Sequence, residues 1–591
     1  SKRMLLVGNA GMGKSCISKE FLRTWAEGKN DHYRCIIYLT FQELNLIEQE
    51  ISVKELLEEK CEFLFSVLTL ENPDDLLIIL DGLDEFKYDL NFDNQSSRND
   101  VDTPFPISVL ISKLITKDLL PAINVMVTTR WNFVSNLEKY FTFVCVIKGF
   151  DDQQIKQYFD HFCEDQSESI YDFIKKNNLS DFASVPLYSF MLRQIIKNHV
   201  TSKKALKNLK TSSRFMIQFL KSCLGNNVKD RRRFHIKEPA TEKNMEDSVR
   251  QLGEISYKNL LSGQLTVNAN DLKKHGLSEK DLTKKFSCFF HKKHPDGKHF
   301  EYRHTMIKEM FAAFYCAHVV RDDELKECLD AWVRGIIPPS AKSKLLSDVT
   351  ADHKLLLENF TRLFMGFLSI GNSSSLHDDR GTLKGPIKKN LIEWFQDWLQ
   401  EDLSSDDFLN LLHYVFELQD SDVAQSVSVY IKNIILFNKP LGAIDVQALC
   451  FSLKENKLEK LNLTLCELGD KGMEQLRDII TNSITRNLLR WCLLVGFFCI
   501  KLSSAFKPRS LCTSVEIRLS SNKLSEKGGA TLSEILQDPK CAIEKLIIGT
   551  NHLGPVGAKH LWKALEKNSI LKTLHVYDND IEDEGTATMV E

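Results

Sequence analysis

A glycine-rich stretch near the start of the chain has the residue types needed to bind phosphate. Gly8-Asn9-Ala10-Gly11-Met12-Gly13-Lys14-Ser15 fits the pattern G-x-x-x-x-G-K-[ST]. In such a loop the glycines let the backbone wrap around phosphates, and amides at the following helix N-terminus donate to them. We expect Lys14 to reach the β- and γ-phosphates and Ser15 to coordinate Mg²⁺. The stretch therefore predicts a nucleoside triphosphate site that includes Mg²⁺.

A second group of candidate residues is acidic and stands directly after an apolar run. Residues 76–80 are all aliphatic and are followed by Asp81, with Asp84 and Glu85 a few positions later. Such a run is typical of a parallel strand buried on both faces. Open α/β sheets place ligands at the carboxyl ends of their strands, so we expect Asp81 near the Mg²⁺ held by Ser15. Asp84 and Glu85 are candidates to orient or deprotonate a water molecule.

A third candidate group follows a strand that we predict over residues 123–127. Thr128, Thr129 and Arg130 come directly after it. Polar residues at a strand end beside a phosphate pocket could sense the γ-phosphate, and Arg130 could counter its charge. The sequence thus nominates Asp84, Glu85 and Arg130 as catalytic residues, and Ser15 and Asp81 as metal ligands.

The elements around these residues predict how they are positioned. An apolar strand over residues 4–7 precedes the phosphate loop, and a helix over residues 17–26 follows it. Strand, loop and helix in this order are the context that the motif requires. We therefore predict an α/β fold of the P-loop NTPase type, with a doubly wound parallel sheet.

Composition limits the classes of protein that the chain can represent. At 591 residues it is too long for one core and should hold several domains. The net charge of −3 gives no overall field that favours nucleic acid or membrane. The 15 cysteines include no C-x-x-C pair, which disfavours metal clusters and a disulfide framework and suits a reducing cytosol. The longest apolar run, residues 491–500, is too short to span a bilayer.

The last quarter of the chain contains internal repeats. Residues 458–468 fit L-x-x-L-x-L-x-x-[NC]-x-L, and the core of this pattern returns three more times. The anchor positions of the four copies are Leu461, Ile517, Leu546 and Leu574. Their spacings are 56, 29 and 28 residues. This spacing predicts long leucine-rich repeats, each a strand plus a helix, that stack into a curved solenoid.

The first spacing equals two repeat lengths, so a further unit is expected around Leu489. Residues 487–512 have about the right length but lose the pattern. We interpret them as a degenerate unit with low local order, or as a segment that is not native to the protein. The chain begins directly at a strand and ends just after a repeat's strand and turn, without a polar cap. We expect it to be truncated at both ends.

The region between the two ends is mainly helical in pattern. Residues 153–162 and 187–196 place apolar side chains at helical spacing, and Pro186 separates the second run from what precedes it. The basic run Arg231-Arg232-Arg233 favours a solvated loop, with nuclear import as the alternative.

The order of these parts resembles the NACHT-domain NOD-like receptors, members of the signal-transduction ATPases with numerous domains. The stretch from Asp81 to Glu85 resembles the family's extended acidic motif, and Thr128-Thr129-Arg130 resembles its sensor element. Val185-Pro186-Leu187 is similar to the proline motif of the first helical domain. The stretch that begins Tyr302-Arg303-His304 is similar to the closing motif of the winged-helix domain.

This resemblance implies roles for two further residues. In the family the proline approaches the adenine, and the histidine contacts the β-phosphate of ADP and locks the closed state. We carry these roles over to Pro186 and His304. The expected nucleotide-binding set is Gly8, Asn9, Ala10, Gly11, Met12, Gly13, Lys14, Ser15, Cys16, Pro186 and His304.

The resemblance also implies a domain order. We expect a nucleotide-binding NACHT domain over residues 1–150, helical domain 1 over 151–208 and a winged-helix domain over 209–310. Helical domain 2 is expected over residues 311–430, and the leucine-rich repeats over 431–591 with the degenerate unit at about 487–512.

The family resemblance implies a function as well. Such proteins are cytoplasmic innate immune sensors in which ATP and ADP, with Mg²⁺, act as a switch. The implied partners are a microbial or stress ligand or sensor protein at the repeats, further copies of the chain on activation, and an adaptor reached through a missing N-terminal effector domain. Nucleic acid is not an expected partner, and any ATP hydrolysis should be slow.

Two alternative functions remain open at this point. One is a NACHT and leucine-rich-repeat transcriptional regulator, which would shuttle to the nucleus through residues 231–233. The other is an inert, truncated scaffold that no longer switches, which the anomalous residues 487–512 favour.

Overall fold

The structure is a computed structural model that describes most of the chain. The described residues are 2–60, 75–90, 92, 100–130, 133–162, 167–176, 179–198, 209–232, 241–264, 266–290, 299–339, 342–370, 383–453, 458–477, 480–481, 515–539 and 541–590. Contacts divide the chain into two compact units. The first is Ser1–Val319, Asp330–Phe364 and Ser375–His377, and the second is Val320–Leu329, Met365–Ser374 and Asp378–Glu591.

The first unit begins with a five-stranded sheet in which all the strands are parallel. The strands are β1 Arg3–Val7, β2 Cys35–Thr40, β3 Leu76–Asp81, β4 Asn124–Thr129 and β5 Phe143–Val146. Their spatial order is β2-β3-β4-β1-β5, so β4 lies between the strand of the phosphate loop and the strand of the acids. Strand β4 extends to Thr129, two residues beyond the predicted end. The predicted α/β class is confirmed.

Helices cover both faces of this sheet. The helices are α1 Lys14–Ala26, α2 Phe41–Leu44, α3 Val53–Glu58, α4 Ile107–Thr116 and α5 Val134–Leu137. Alternate strand residues such as Leu5, Ile37 and Ile78 pack with α2, α3 and α4. Ile36, Ile79 and Met126 point to the other face, where Phe21, Leu22 and Trp25 of α1 meet them. Burial on both faces explains why these strands read as continuous apolar runs.

A mainly helical region continues the first unit. Its helices are α6 Asp152–Phe162, α7 Ser167–Lys176, α8 Ser180–Ala183, α9 Pro186–Asn198, α10 Ser212–Arg232, α11 Thr241–Leu261, α12 Ala269–Lys274 and α13 Thr305–Val319. The strands β6 Thr266–Asn268 and β7 His299–Glu301 pair antiparallel beside them. Both predicted helical runs form, and Pro186 occupies the first position of α9, where a missing amide hydrogen costs nothing. The predicted loop at residues 231–233 is wrong for Arg231 and Arg232, which end α10; Arg233 lies outside the described residues.

Further helices lead from the first unit into the second. They are α14 Leu325–Leu329, α15 Glu358–Ile370, α16 Gly385–Trp398, α17 Ser405–Leu418, α18 Ser421–Ser428 and α19 Ala443–Leu453. Short 3₁₀ or π segments occur at Leu83–Glu85, Glu138–Tyr140, Asp281–Lys285, Asp330–Arg334, Lys344–Leu346 and Ala351–Lys354. Among the helices in the described ranges, none is long and apolar enough to cross a membrane.

The second unit ends in a parallel sheet built from the repeats. Its strands are β8 Asn433–Ile435, β9 Lys460–Asn462, β10 Val515–Arg518, β11 Ile543–Ile547 and β12 Thr573–His575, and the helices α20 Glu526–Gln537, α21 Gly554–Leu565 and α22 Glu582–Val590 follow the last three strands. The anchors stand in register: Leu461 is opposite Ile517, Ile517 opposite Leu546, and Leu546 opposite Leu574. The predicted repeat phase is therefore confirmed for all four copies.

A buried asparagine ties each of the last three repeats to its neighbour. Asn551 donates from Nδ2 to the carbonyl oxygens of Leu519 and Ile548, at 3.1 and 2.8 Å. Its Oδ1 accepts from the amide of Asn522 at 2.9 Å. Cys466 takes the corresponding position in the first copy, and its thiol donates to the carbonyl oxygen of Leu436 at 2.7 Å. These contacts explain the [NC] position of the motif.

The structure corrects the predicted unit around Leu489. Strand β9 pairs directly with β10, so their two repeats are stacked neighbours with no unit between them. The 56-residue spacing is an insertion between adjacent repeats, because the hydrogen-bonded ladder and not the chain length decides which repeats stack. Residues 487–512 themselves lie outside the described residues.

The sequence reasoning also missed a repeat strand. Strand β8 pairs with β9 and places Ile434 opposite Leu461, the same register as the other anchors. The sequence contained a signal for this strand. Ile434, Leu436 and Leu441 occupy the apolar positions of the repeat pattern, and Asn438 stands one residue before the usual asparagine position.

Candidate functional site

The phosphate loop lies between β1 and α1, in the context that the motif requires. Gly11 has φ of +79° and Gly13 has φ of +93°, values that favour glycine over residues with a side chain. Gly13 precedes the first helical residue, Lys14, and has no side chain to cap the helix. The first amides of α1 are therefore suited to bind an anion. Of the remaining predicted residues here, Asn9, Ser15 and Cys16 are exposed, whereas Gly8 is buried.

The segment that contains Pro186 packs against this loop. The amide of Leu187 donates to the carbonyl oxygen of Gly11 at 3.2 Å. A β-carbon added at Gly11 would lie 3.0 Å from the β-carbon of Leu187, and one added at Gly13 would lie 4.0 Å from Cγ of Pro186. The fold thus brings Pro186 to the phosphate loop, although the two are far apart in sequence.

The side chain of Lys14 is held over the phosphate loop by carbonyl groups of that loop. Its Nζ donates to the carbonyl oxygen of Gly8 at 2.7 Å and to that of Asn9 at 3.4 Å. Burial lowers the pKa of Lys14, Asp84 raises it, and the positive charge of Arg130 lowers it again. The ammonium group therefore shares one electrostatic environment with Asp84 and Arg130.

Asp81 lies at the end of β3 and accepts hydrogen bonds on both carboxylate oxygens. The hydroxyl of Tyr38 donates to Oδ2 at 2.7 Å, and that of Thr128 donates to Oδ1 at 2.6 Å. The amide of Gly82 in turn donates to Thr128 Oγ1 at 2.8 Å. Each carboxylate oxygen retains acceptor capacity, so Asp81 fits a role beside a hydrated Mg²⁺. Sequence reasoning did not identify Tyr38, because a strand tyrosine carries no specific signal.

Asp84 and Arg130 form a buried ion pair. Arg130 Nε lies 2.5 Å from Asp84 Oδ2, and the two side chains are 18% and 6% exposed. Burial alone would lower the pKa of Arg130, but Asp84 and Glu309 raise it above its usual value. Asp84 Oδ1 and the neighbouring Thr129 Oγ1 are buried without a hydrogen-bond partner. Unpaired buried polar atoms are uncommon, and here they suit a site that is completed by a polar ligand.

Glu85 is the third acid of the motif, after Asp81 and Asp84, and its pKa is unusually high. The side-chain amide of Gln42 donates to Glu85 Oε2. Burial, with a further contribution from Asp84, raises the pKa of Glu85 to about 7, although Gln42 and Lys308 oppose the shift. A carboxyl group with such a pKa can take a proton from water at neutral pH.

His304 stands at the start of α13, 290 residues after Lys14. Its Nδ1 accepts a hydrogen bond from the amide of Met306 at 3.1 Å, which places the proton of the neutral ring on Nε2. Burial, together with the positive charges of Arg130 and Lys14, lowers the pKa of His304 to about 4, although Asp84 opposes the shift. The fold thus brings His304 into the same charged environment as the phosphate loop.

Two charged residues that the sequence reasoning missed follow on the same helix. Lys308 and Glu309 are buried in the otherwise apolar helix α13. Lys308 Nζ donates to the carbonyl oxygen of Gln264 at 2.9 Å. Burial lowers the pKa of Lys308, and the negative charge of Glu85 opposes this shift. Burial raises the pKa of Glu309, and the positive charge of Arg130 opposes this shift. Glu309 Oε2 is buried without a hydrogen-bond partner. A charged pair inside an apolar helix was the signal that could have identified them.

Comparisons with known families agree with this arrangement. Residues 2–166 match the NACHT domain, residues 304–426 match the NLRC4 helical domain HD2, and residues 454–476 and 567–588 match the Leucine Rich repeat. The first match contains the phosphate loop, Asp81, Asp84, Glu85 and Arg130. The second begins at His304.

Known proteins with similar sequences come from the same class. "NACHT, LRR and PYD domains-containing protein 12" of Homo sapiens is 22% identical over 98% of this chain and 54% of its own length. "NACHT, LRR and PYD domains-containing protein 1 homolog" of Danio rerio is 23% identical over 79% of this chain and 34% of its own length. The chain thus spans between a third and somewhat more than half of these relatives. The predicted resemblance to NACHT-domain NOD-like receptors is confirmed.

A solved structure from Pyrococcus horikoshii was also found. It is a Signal Transduction ATPase with Numerous Domains that carries a tetratricopeptide repeat sensor. It is 11% identical, and the match covers 96% of this chain and 78% of that chain, with a TM-score of 0.24. A similarity of this size carries no argument about the present chain.

Proposed function

We propose that this NACHT and leucine-rich-repeat chain is the nucleotide-gated core of a cytoplasmic innate immune receptor. ADP would hold the first unit closed, and exchange for ATP would release it for assembly with further copies. The domain boundaries expected from the sequence, at residues 150, 208, 310 and 430, form part of this proposal.

One observation carries the proposal. His304, at the start of α13, shares a buried charged environment with Lys14, Arg130 and Asp84 of the sheet. A nucleotide that contacts both the phosphate loop and His304 would bind two distant parts of the chain at once. Such a ligand stabilises the compact state by its higher affinity for that state.

The residues of the site suit ATP or ADP with Mg²⁺. The amides at the start of α1 and the ammonium group of Lys14 would bind the phosphates, and Ser15 and Asp81 would hold the hydrated metal ion. Bound Mg²⁺ would neutralise charge on the phosphates. Glu85 would accept a proton from water, whereas Arg130, fixed by Asp84, would respond to the γ-phosphate. Pro186, which lies beside the loop, would approach the adenine of the nucleotide.

The partners of the whole protein belong to the same proposal. The repeats would bind a microbial or stress ligand or a sensor protein, and an effector domain outside these residues would reach an adaptor. The relatives named for a PYD domain support this assignment.

The first experiment identifies the nucleotide that copurifies with the protein. The chain is purified, denatured and analysed by chromatography, beside the variants Lys14→Ala and His304→Leu. We expect near-stoichiometric ADP in the wild type, and a loss of at least about tenfold in both variants, because each removes a phosphate contact. The matched controls are Lys19→Ala, an exposed lysine on α1, and His318→Leu on α13; both should retain ADP.

Two outcomes would contradict the proposal. Absence of nucleotide from the wild type would favour an inert scaffold. Full ADP retention in folded His304→Leu would show that this residue does not gate the switch. Assembly is then tested by light scattering after exchange into ATP and Mg²⁺, where we expect a mass increase that Lys14→Ala lacks.

A further inference from the structure

The short helix α2 begins beside the acids of the candidate site because of the way β2 and β3 pair. The two strands are parallel, and Thr40, the last residue of β2, stands opposite Asp81, the last residue of β3. Helix α2, Phe41–Leu44, and the segment Leu83–Glu85 therefore begin at the same edge of the sheet. Side chains of α2 reach the acids across one strand spacing.

Gln42 of α2 contacts the carboxylate of Glu85. Its side-chain amide donates a hydrogen bond to Glu85 Oε2. Among the side chains that the structure describes, Gln42 alone donates to this carboxylate. A β-carbon added at Gly82 would lie 3.6 Å from the same oxygen, so the Glu85 side chain folds back towards the end of β3. The hydrogen bond from Gln42 thus fixes the direction in which this acid points.

Aromatic packing anchors both residues of this hydrogen bond. Phe41 precedes Gln42 and is fully buried. Its ring lies edge to face with the ring of Phe86, the residue after Glu85, with centroids 5.0 Å apart. A capping box also fixes the first turn of α2. The contact between Gln42 and Glu85 is therefore made from anchored backbone on both sides.

Asn45, directly after α2, holds the backbone on both sides of Phe86. Its Nδ2 donates to the carbonyl oxygen of Glu85 at 2.8 Å, and its Oδ1 accepts from the amide of Lys87 at 2.9 Å. The Asn45 side chain is buried. Hydrogen bonds of this kind rigidify the backbone that they connect. The segment that carries Glu85 is thus held by Asn45, while Gln42 holds the carboxylate itself.

We propose that Gln42 is a positioning residue for Glu85, which it holds in the orientation and the ionised form needed to accept a proton from water. An amide that donates to Oε2 stabilises the carboxylate and leaves Oε1 to accept from the water molecule. The inference rests on the proposed role of Glu85 in ATP hydrolysis.

The step in which Glu85 takes part is the attack of water on the γ-phosphate. The water oxygen forms a bond to the γ-phosphorus, and its proton moves to Glu85 Oε1. The bond from this phosphorus to the bridging oxygen breaks, and ADP leaves with the electron pair. Glu85 then releases the proton to solvent, so Gln42 acts on the reaction only through this carboxylate.

Other groups also act on the acidity of Glu85, and they lie on each element packed around it. They are Asp84 on the same segment, Tyr38 of β2, Arg130 after β4, Lys14 of α1 and Lys308 of α13. Burial raises the pKa of Glu85 to about 7, and the hydrogen bond from Gln42 lowers it. Loss of this bond is therefore expected to raise the pKa, whereas a positive charge at position 42 should lower it.

The test follows hydrolysis of radiolabelled ATP by the full chain with Mg²⁺, in single turnovers from about pH 5 to about pH 9. In Gln42→Leu we expect the acidic limb of the rate profile to move up by about one pH unit, and the rate at neutral pH to fall about fivefold. In Gln42→Lys the limb should move down. The dissociation constant of ATP should stay within about twofold of the wild-type value in both variants.

The matched control is Gln49→Leu, because Gln49 is exposed in the loop after α2 and should leave the rate and the pH profile unchanged. Circular dichroism of each variant confirms that it is folded. The proposal is overturned if both Gln42 variants keep the wild-type profile, or if both move it in the same direction, as a residue that only packs would do.

A separate comparison distinguishes this inference from the proposed switch. A wild type that hydrolyses ATP no faster than Glu85→Gln would also overturn the role of Gln42, since Glu85 would then not accept the proton. Retention of ADP by the purified chain does not depend on hydrolysis, so that measurement would still decide whether the nucleotide gates the first unit.

Discussion

At the scale of single residues, the candidate site is a set of buried charges that depend on one another. Arg130 lies 2.5 Å from Asp84, and both are largely removed from solvent. When one partner of a buried ion pair is removed, the other is left charged and uncompensated. Loss of either partner alone is therefore expected to destabilise the first unit, as well as to affect the chemistry proposed for the site.

This interdependence can be measured as stability. We expect Arg130→Met to lower the free energy of unfolding by about 3–5 kcal/mol, and the double variant Arg130→Met with Asp84→Asn to recover most of that loss. Urea titration provides the measurement. The control is Arg23→Met, whose ion pairs with Glu20 and Glu27 are exposed to solvent, so its urea midpoint should stay close to that of the wild type. A double variant as unstable as the single one would contradict the coupling.

The buried histidine predicts a dependence of stability on pH. The pKa of His304 is about 4 in the folded chain, below its usual value of 6.5, so the unfolded chain binds its proton more readily. The neutral His304 ring therefore contributes its full share to the free energy of unfolding above pH 6.5. As the pH falls towards 4, this contribution decreases by about 3 kcal/mol. Glu85, with its pKa raised to about 7, has the opposite sign over a similar range.

Because the two groups oppose each other, the wild type alone does not isolate His304. The effect of His304 is isolated by the difference in unfolding free energy between the wild type and His304→Gln, because Glu85 is present in both. We expect the wild type's advantage to shrink steadily from pH 7 to pH 4 in urea titrations. A difference that stays constant over this range would show that His304 is not held neutral.

At the scale of elements, the packing of α11 against α13 positions the charged residues of α13. At Gly253 of α11 the two helices approach closely. A β-carbon there would lie 2.6 Å from both the carbonyl oxygen of Phe311 and the β-carbon of Tyr315. If the backbone of α13 shifted to make room, Lys308, Glu309 and His304 would move with it. The absence of a side chain at Gly253 therefore helps to keep these residues in place.

Substitution of this glycine is therefore expected to affect both stability and nucleotide retention. Gly253→Ala should force the helices apart, cost about 1–3 kcal/mol and accelerate the release of ADP. Thermal unfolding and the rate of ADP loss on dilution provide the two readouts. Gly385→Ala is the matched control, because no atom lies within 4 Å of the added carbon and alanine favours a helix. An unchanged release rate in Gly253→Ala would separate helix packing from the site.

At the scale of the whole molecule, the chain divides into two compact units with different architectures. The candidate nucleotide site lies in the first unit, and the repeat sheet lies in the second. A ligand that binds only the folded form of one unit stabilises that unit by mass action.

Two units predict two thermal transitions, of which ADP should shift one. At a hundredfold excess over its Kd, a ligand stabilises its site by about 2.7 kcal/mol, enough to raise a transition by several degrees. Scanning calorimetry with and without ADP measures this shift, and Lys14→Ala should abolish it. If ADP moved both transitions equally, the two units would unfold as one.

Several features of this protein were determined by the sequence alone. The phosphate loop, the acids after a buried strand and the phase of the repeats could all be read directly. Each depends on a few residues at short, fixed spacing: glycines where φ is positive, carboxylates at a strand end, and an aliphatic residue at each repeat anchor. Local sterics and hydrogen bonding suffice to specify such features.

Other features were decided only by the tertiary structure. The order of the strands puts β4 between β1 and β3 and so brings Arg130 to Asp84. The packing of α13 brings His304, Lys308 and Glu309 to residues that are far away in sequence, and direct pairing of β9 with β10 excludes a unit between them. These arrangements depend on the sum of many weak packing contacts over long chain separations, which no local pattern records.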